Sequence, residues 1–110
     1  MSDVTLLNPL PKVFTLRQNF PNPFKGKTTI QYQLPEDSQV ILKIYNLAGQ
    51  QVKTLIDETQ SAGYYKIDWD GKDSNGNMIS SGIYFYRFIA QDPNGRNQRF
   101  LATRKIIFLK

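Results

Sequence analysis

The sequence predicts an all-β domain, an antiparallel β-sandwich of about seven strands. Aromatic residues make up 13% of the 110-residue chain, and aromatic side chains are enriched in strands. Windows rich in Ala, Leu and Glu, which would favour helices, are missing. From residue 13 onward, short runs of alternating apolar and polar residues follow one another, and turn residues close each run. The length suits one domain with a single modest core.

The first twelve residues are expected to be a linker from a larger parent protein, and the domain itself is expected to span residues 13–110. Prolines and short polar residues punctuate residues 1–12, whose main apolar content is Leu6 and Leu7. The first strand is predicted at residues 13–18, where one face is apolar and the other mostly polar. This pattern is typical of an edge strand.

Residues 19–24, named here the double-proline segment, are predicted to be rigid and to run extended before turning. Pro21 and Pro23 fix their own φ at about −65°, donate no N–H and push the preceding residue away from the α region. Phe20 and Phe24 are expected to be apolar pegs that lock a short edge segment onto the sandwich. Trans peptide bonds are the default at both prolines. A peptide-recognition motif is the alternative interpretation of this segment.

The next three strands follow from alternation and turn residues. Residues 28–34 show the cleanest period of two in the chain, which predicts a strand with one buried face. Residues 39–46 are largely apolar on both faces, which favours a central strand. A turn at residues 46–49, closed by Gly49, leads into a strand at residues 51–56.

Three further strands complete the prediction. Residues 64–69 place Trp69, the one tryptophan, on the core face. Residues 82–90 are dense in aromatic residues, of which one set must be core, while the other is available to stack on sugars or a partner. A hairpin turn at residues 92–95, with the sequence Asp-Pro-Asn-Gly, leads into the last strand at residues 98–109.

The composition excludes several classes of function. The chain contains no cysteine and no histidine, which excludes a disulfide framework, a thiolate metal site and the usual imidazole base of enzymes. The formal net charge of +5 is spread without a basic run longer than two residues, which is not typical of a nucleic-acid interface. No apolar run approaches the roughly 20 residues of a membrane span. We expect a monomeric, non-catalytic module without a cofactor.

The loop after Trp69 is the one place where oxygen ligands cluster. Asp70, Asp73 and Asn75 are candidate calcium ligands, but no glutamate stands at the twelfth position that an EF-hand loop requires. Asp-Gly and Asn-Gly pairs favour a tight turn, with an irregular calcium site as the alternative. Asp68 and Asp70 lack apolar surroundings that would raise one pKa, so a glycosidase-type carboxylate pair is not expected.

Six motifs in order resemble one known family. They are residues 18–24, 29–32, 44–52, 69–73, 81–87 and 103–107. Together they resemble the immunoglobulin-like C-terminal sorting domains, type A, of the type IX secretion system. The Ig-like domain of the flagellar hook-capping protein belongs to the same fold group. The resemblance runs from about Val13 to Lys110 and implies an immunoglobulin-like sandwich.

The resemblance implies a secretion tag. Such domains lie at the C terminus of cargo proteins that enter the periplasm of a Gram-negative bacterium and are recognised by outer-membrane secretion machinery. The implied partners are that machinery and the parent cargo, and the implied location is secreted or at the cell surface. The residues implied in recognition are Pro21, Asn22 and Pro23; Gly49, Gln50 and Val52; and Lys105, Ile106 and Ile107.

Alternatives stay open for both the residues and the function. Each recognition group also fits a structural role, namely a rigid edge, a hairpin turn and a last core strand. Two other functions fit the same sequence. One is a carbohydrate-binding or spacer module of a secreted enzyme, and the other is an assembly module like that of the hook cap.

Overall fold

The computed structural model describes residues 9–110, so residues 1–8 of the predicted linker lie outside the described residues. Within 9–110 there are seven strands and no helix, and therefore no helix long and apolar enough to cross a membrane. The strands are β1 (Thr15–Leu16), β2 (Thr28–Leu34), β3 (Ser38–Asn46), β4 (Gln51–Gln60), β5 (Gly63–Trp69), β6 (Gly82–Gln91) and β7 (Gln98–Phe108).

The strands form two antiparallel sheets. One has the order β1-β2-β5 and the other the order β4-β3-β6-β7. The first corresponds to strands A, B and E of an immunoglobulin fold, and the second to strands C, F and G with one extra strand beside C. The predicted all-β sandwich of about seven strands is therefore confirmed.

The core lies between the two sheets. Successive side chains of a strand point to opposite faces, so each sheet buries every second residue. Trp69, predicted to be central, is 1% exposed at the end of β5. The aromatic strand β6 turns its Tyr84, Tyr86 and Phe88 face inward, where each is buried. The other buried apolar residues of the central strands are Ile30, Tyr32, Leu34, Val40, Leu42, Ile44 and Ala90.

The predicted first strand is much shorter in the structure. β1 covers only Thr15–Leu16, whereas residues 13–18 were predicted. Val13 lies in a bend. One more hydrogen bond, from Arg17 N–H to the Gln31 carbonyl at 2.9 Å, continues the pairing before the chain leaves β2.

The double-proline segment departs from the prediction in two ways. Phe20 is not a buried peg: it pairs with Thr29 and is 79% exposed. Phe24 is a peg, as predicted, with its ring centroid 5.5 Å from that of Trp69 and 4.9 Å from that of Phe108. Both peptide bonds that precede the prolines are cis rather than trans.

Candidate functional site

The double-proline segment lies against the end of β7. The Phe24 N–H donates to the Ile107 carbonyl at 2.9 Å, and the Leu109 N–H donates to the Phe24 carbonyl at 2.9 Å. The side-chain Oδ1 of Asn22 accepts a hydrogen bond from the Ile107 N–H at 2.9 Å. These bonds attach the segment to the free side of β7, where Phe24 and Phe108 form a parallel bridge.

This contact, which we name the junction, consists of residues 21–24 and residues 105–109. It unites two of the three groups that the sequence analysis singled out for recognition, although they are far apart in the chain. Those groups are Pro21, Asn22 and Pro23, and Lys105, Ile106 and Ile107.

Asn19 holds the other end of the double-proline segment in the core, a role that was not predicted from the sequence. Its side chain is 2% exposed, and its Nδ2 donates to Thr28 Oγ1 at 2.9 Å and to the Pro21 carbonyl at 3.2 Å. Its N–H donates to the Tyr86 hydroxyl at 2.8 Å, and that hydroxyl donates to the Arg17 carbonyl at 2.7 Å. Every buried polar side-chain atom of this network has a partner, as does every other one within the described residues.

Two tyrosines in the sandwich are held in their neutral form. Burial raises the pKa of Tyr86 to about 12, against an opposing effect of the Asn19 N–H. Burial also raises the pKa of Tyr32 to about 12, and the Tyr32 hydroxyl donates to Gln60 Oε1 at 2.6 Å. Both hydroxyls are neutral hydrogen-bond donors at physiological pH. Tyr86 links β6 to the segment that follows β1, and Tyr32 links β2 to the end of β4 in the other sheet.

Part of the β7 edge is open. Ile107 uses its outward N–H and carbonyl in the junction, so the alternation of an antiparallel ladder also turns the backbone groups of Lys105, Thr103 and Leu101 outward. Gln18 Nε2 donates to the Lys105 carbonyl at 2.7 Å. Within residues 9–110, no other strand pairs with this edge. An edge of this kind accepts an added strand.

The third predicted recognition group lies at the same end of the four-stranded sheet, on the far side of β3. Asn46, where the turn begins, is level with Tyr84 of β6 and, through it, with Ile106 of β7. The turn has the predicted geometry, because its glycine has a φ of +83° and donates its N–H to the Asn46 carbonyl at 3.0 Å. The structure does not bring this group into the junction. The group consists of Gly49, Gln50 and Val52.

The candidate calcium ligands lie in the loop after β5, where both carboxylates already serve the backbone. Asp70 Oδ1 accepts from the Lys72 N–H at 3.1 Å, and Asp73 Oδ1 accepts from the N–H groups of Asn75 and Asn77 at 2.9 and 3.0 Å. These bonds form the predicted tight turn. Among the described residues, no three His, Cys, Asp or Glu side chains are close enough together to hold a metal ion.

The same loop packs on the last strand through a glycine. Gly71 has a φ of +73°, and a Cβ at this position would lie 2.9 Å from Phe108 Cε1. The neighbouring Trp69 donates its Nε1–H to the Lys72 carbonyl at 3.0 Å. Phe108 is therefore held between the double-proline segment and this loop.

Comparison with solved structures gives three likenesses. Dimeric latent PorU from Porphyromonas gingivalis has a TM-score of 0.68 and 22% identity over 90% of this chain and 10% of its own. FlgD from P. aeruginosa has a TM-score of 0.59 and 28% identity over 74% of this chain and 61% of its own. PorZ from Porphyromonas gingivalis, an essential surface component of its type IX secretion system, has a TM-score of 0.49 and 16% identity over 88% of this chain and 11% of its own.

The chain thus spans a tenth of PorU and about three fifths of that FlgD, and the likeness to PorU is one of fold. No curated protein matches the chain. The family model of the FlgD Ig-like domain matches residues 20–93, from the double-proline segment to the β6–β7 hairpin. Since this match covers more than half of the chain, the protein belongs to the FlgD Ig-like domain family.

Proposed function

We propose that this domain is a non-catalytic sorting signal of the type IX secretion system. It directs a parent cargo protein, attached through a linker at residues 1–12, from the periplasm across the outer membrane of a Gram-negative bacterium. The destination is the medium or the cell surface. The domain, residues 13–110, acts as a monomer, and its partners are the outer-membrane secretion machinery and the cargo.

The junction is the observation that carries this proposal. A signal that serves unrelated cargoes needs a surface that the domain builds by itself. Here Asn22 and Ile107, which the resemblance marks as recognition positions, are hydrogen-bonded to each other. Beside them runs the open part of the β7 edge, whose backbone groups suit recognition by strand addition.

The nine residues that the resemblance implies in recognition differ in exposure, and we assign them two roles on that basis. Pro21, Pro23 and Lys105 are exposed and lie in the junction, so they are the residues we propose the machinery contacts. Gln50 and Gly49 are exposed at the same end of the sheet and form a second contact point. The remaining marked residues are buried or half-buried, and their role is to hold this surface in shape: Asn22, Val52, Ile106 and Ile107.

A localisation assay tests the proposal. The full 110-residue chain is fused to a fluorescent protein behind a periplasmic export signal and expressed in a host with an intact type IX system and in its secretion-deficient twin. We expect release or surface display only in the intact host. Retention in the periplasm of both hosts would contradict the sorting role.

Point variants then separate recognition from folding. Lys105→Glu reverses an exposed charge of the junction. Arg96→Glu makes a matched change at the exposed tip of the β6–β7 hairpin, at the other end of the sheet. We expect Lys105→Glu to lower secretion and Arg96→Glu to leave it unchanged, with equal midpoints of thermal unfolding for the two purified variants. Equal secretion of the two variants would show that Lys105 is not part of the recognition surface.

A further inference from the structure

The outer face of the three-stranded sheet carries a shallow polar trough that the proposed sorting role does not use. Strand pairing arranges its residues in three rows across the sheet. The rows are Thr15, Gln33 and Tyr64; Arg17, Gln31 and Lys66; and Phe20, Thr29 and Asp68. Two adjoining hollows on this face share Gln31 and Lys66, so the trough is continuous from the first row to the third.

Two aromatic rings stand at opposite corners of the trough. Phe20 is 79% exposed and Tyr64 is 61% exposed, although large aromatic side chains are usually at least half-buried. Their partners on β2, Thr29 and Gln33, are four residues apart. The rise per residue and the spacing between strands therefore separate the two aromatic Cα atoms by about 16 Å along a diagonal.

The centre of the trough consists of polar groups that the protein leaves free. Within residues 9–110, the side chains of Arg17, Gln31 and Lys66 form no hydrogen bond or ion pair with another side chain or with the backbone. An amide both donates and accepts hydrogen bonds, whereas the two basic groups only donate and carry positive charge. Asp68 is already occupied, because it accepts from Thr29 Oγ1 at 2.6 Å and pairs with Lys27 at 3.4 Å.

We propose that this trough binds an extended acidic oligosaccharide. Sugar rings stack through their C–H faces on Phe20 and Tyr64, hydroxyl groups exchange hydrogen bonds with the Gln31 amide, and carboxylates face Arg17 and Lys66. The two aromatic rings lie far enough apart to hold a chain of several sugars rather than a single one. This site is separate from the junction, and the proposal does not depend on a sorting role.

Charge favours an acidic sugar over single-stranded nucleic acid. Nucleic acid also stacks on aromatic rings, but its affinity depends on neutralising one phosphate after another. The trough offers only two cationic side chains without a partner among the described residues, Arg17 and Lys66. The Asp68 carboxylate lies in the third row, at the end opposite Phe20. A sugar acid adds many hydroxyl groups, whose hydrogen bonds do not depend on charge, and therefore matches an amide-lined trough with two free cations.

Titration of the purified 110-residue protein with hexagalacturonate, followed by calorimetry and by NMR chemical shifts, tests this proposal. We expect saturable binding, with shifts confined to the three rows. Phe20→Ala and Tyr64→Ala are each expected to raise Kd at least about tenfold, or about 1.4 kcal/mol, while Tyr64→Phe retains binding. Leu47→Ala, which changes a side chain that is 68% exposed in the β3–β4 turn, is the control and should leave Kd unchanged.

Charge and ligand class are tested in the same assay. Lys66→Ala is expected to weaken binding of hexagalacturonate, and the uncharged cellohexaose is expected to bind more weakly than the acid. Absence of binding to both sugars would overturn the proposal. So would tighter binding of hexauridylate, lost in the same two aromatic variants, because it would assign the trough to nucleic acid.

Discussion

Asn22 accepts a 2.9 Å hydrogen bond from the backbone N–H of Ile107, which follows it by 85 residues in the chain. The Ile107 N–H points away from β6, so within the sheet it has no backbone acceptor. The side-chain oxygen of Asn22 takes the place of the carbonyl that a further strand would supply. This bond and the adjacent backbone hydrogen bonds of Phe24 join the double-proline segment to the last strand.

Asn22→Ala is expected to lower the free energy of unfolding by about 1 to 3 kcal/mol, because it leaves a partly buried N–H without an acceptor. Asn22→Asp keeps an acceptor oxygen and should lose less. Asn94→Ala, at the exposed hairpin tip, is the matched control and should change stability by less than about 0.5 kcal/mol. Urea titrations followed by Trp69 fluorescence measure all three, and equal losses at positions 22 and 94 would show that the bond contributes nothing.

Gly71→Ala is expected to destabilise the domain more than Gly76→Ala. Both glycines have left-handed backbone, with φ of +73° and +83°, so each substitution costs about 1 to 2 kcal/mol in conformation alone. At Gly76 a Cβ meets nothing within 4 Å, whereas at Gly71 it lies 2.9 Å from the Phe108 ring. Overpacking adds about 1 to 3 kcal/mol there. Thermal and urea unfolding of the two variants measure the difference, and equal stabilities would rule out the close contact.

Stability is expected to fall as the pH rises from 10 to 12. Tyr32 and Tyr86 have pKa values raised from 10.0 to about 12, so between these values the unfolded chain has released protons that the folded chain retains. Their contribution is fully present below pH 10 and is lost as the pH passes 12. Unfolding free energies at pH 9, 10, 11 and 12 test this, and Tyr86→Phe should show a shallower fall than the parent protein. A flat profile in the parent would contradict the role of burial.

Phe108→Ala is expected to cost about 3 to 5 kcal/mol, as for other buried aromatic residues. Phe108 is 1% exposed between Phe24 and Gly71, whereas the next residue, Leu109, is 42% exposed. Leu109→Ala should change stability by less than about 0.5 kcal/mol. Truncation before Phe108 is therefore expected to unfold the domain, and this is why point variants rather than deletions are suited to the secretion assay. Chemical denaturation compares the two variants.

Alternation of apolar and polar residues predicted the strands that have one buried face. β2 covers the predicted residues 28–34, and β3 begins one residue earlier than predicted, at Ser38. β4 runs to Gln60 rather than to the predicted end at Ile56. Its last residues are mostly exposed at a sheet edge, where no burial pattern marks the strand although the ladder to β3 continues.

The junction was beyond prediction from the sequence. Nothing in one sequence shows that residues 21–24 pair with the end of β7, because that pairing depends on how the two sheets pack. The exposure of Phe20 was unpredictable for a similar reason, because it depends on the pairing of Phe20 with Thr29, which places the ring on the outer face of the sheet. Asn19 was missed because an asparagine close to a proline is typical of a turn, and only the structure shows its bond to Tyr86.

The junction also determines when the domain can fold. Contacts between residues so far apart in the chain require closure of a long loop before they stabilise anything, and sandwiches of this kind fold in milliseconds to seconds. During synthesis, Asn22 emerges long before Ile107 can meet it. A chain interrupted before β7 exposes the free edge of β6, which is a template for aggregation.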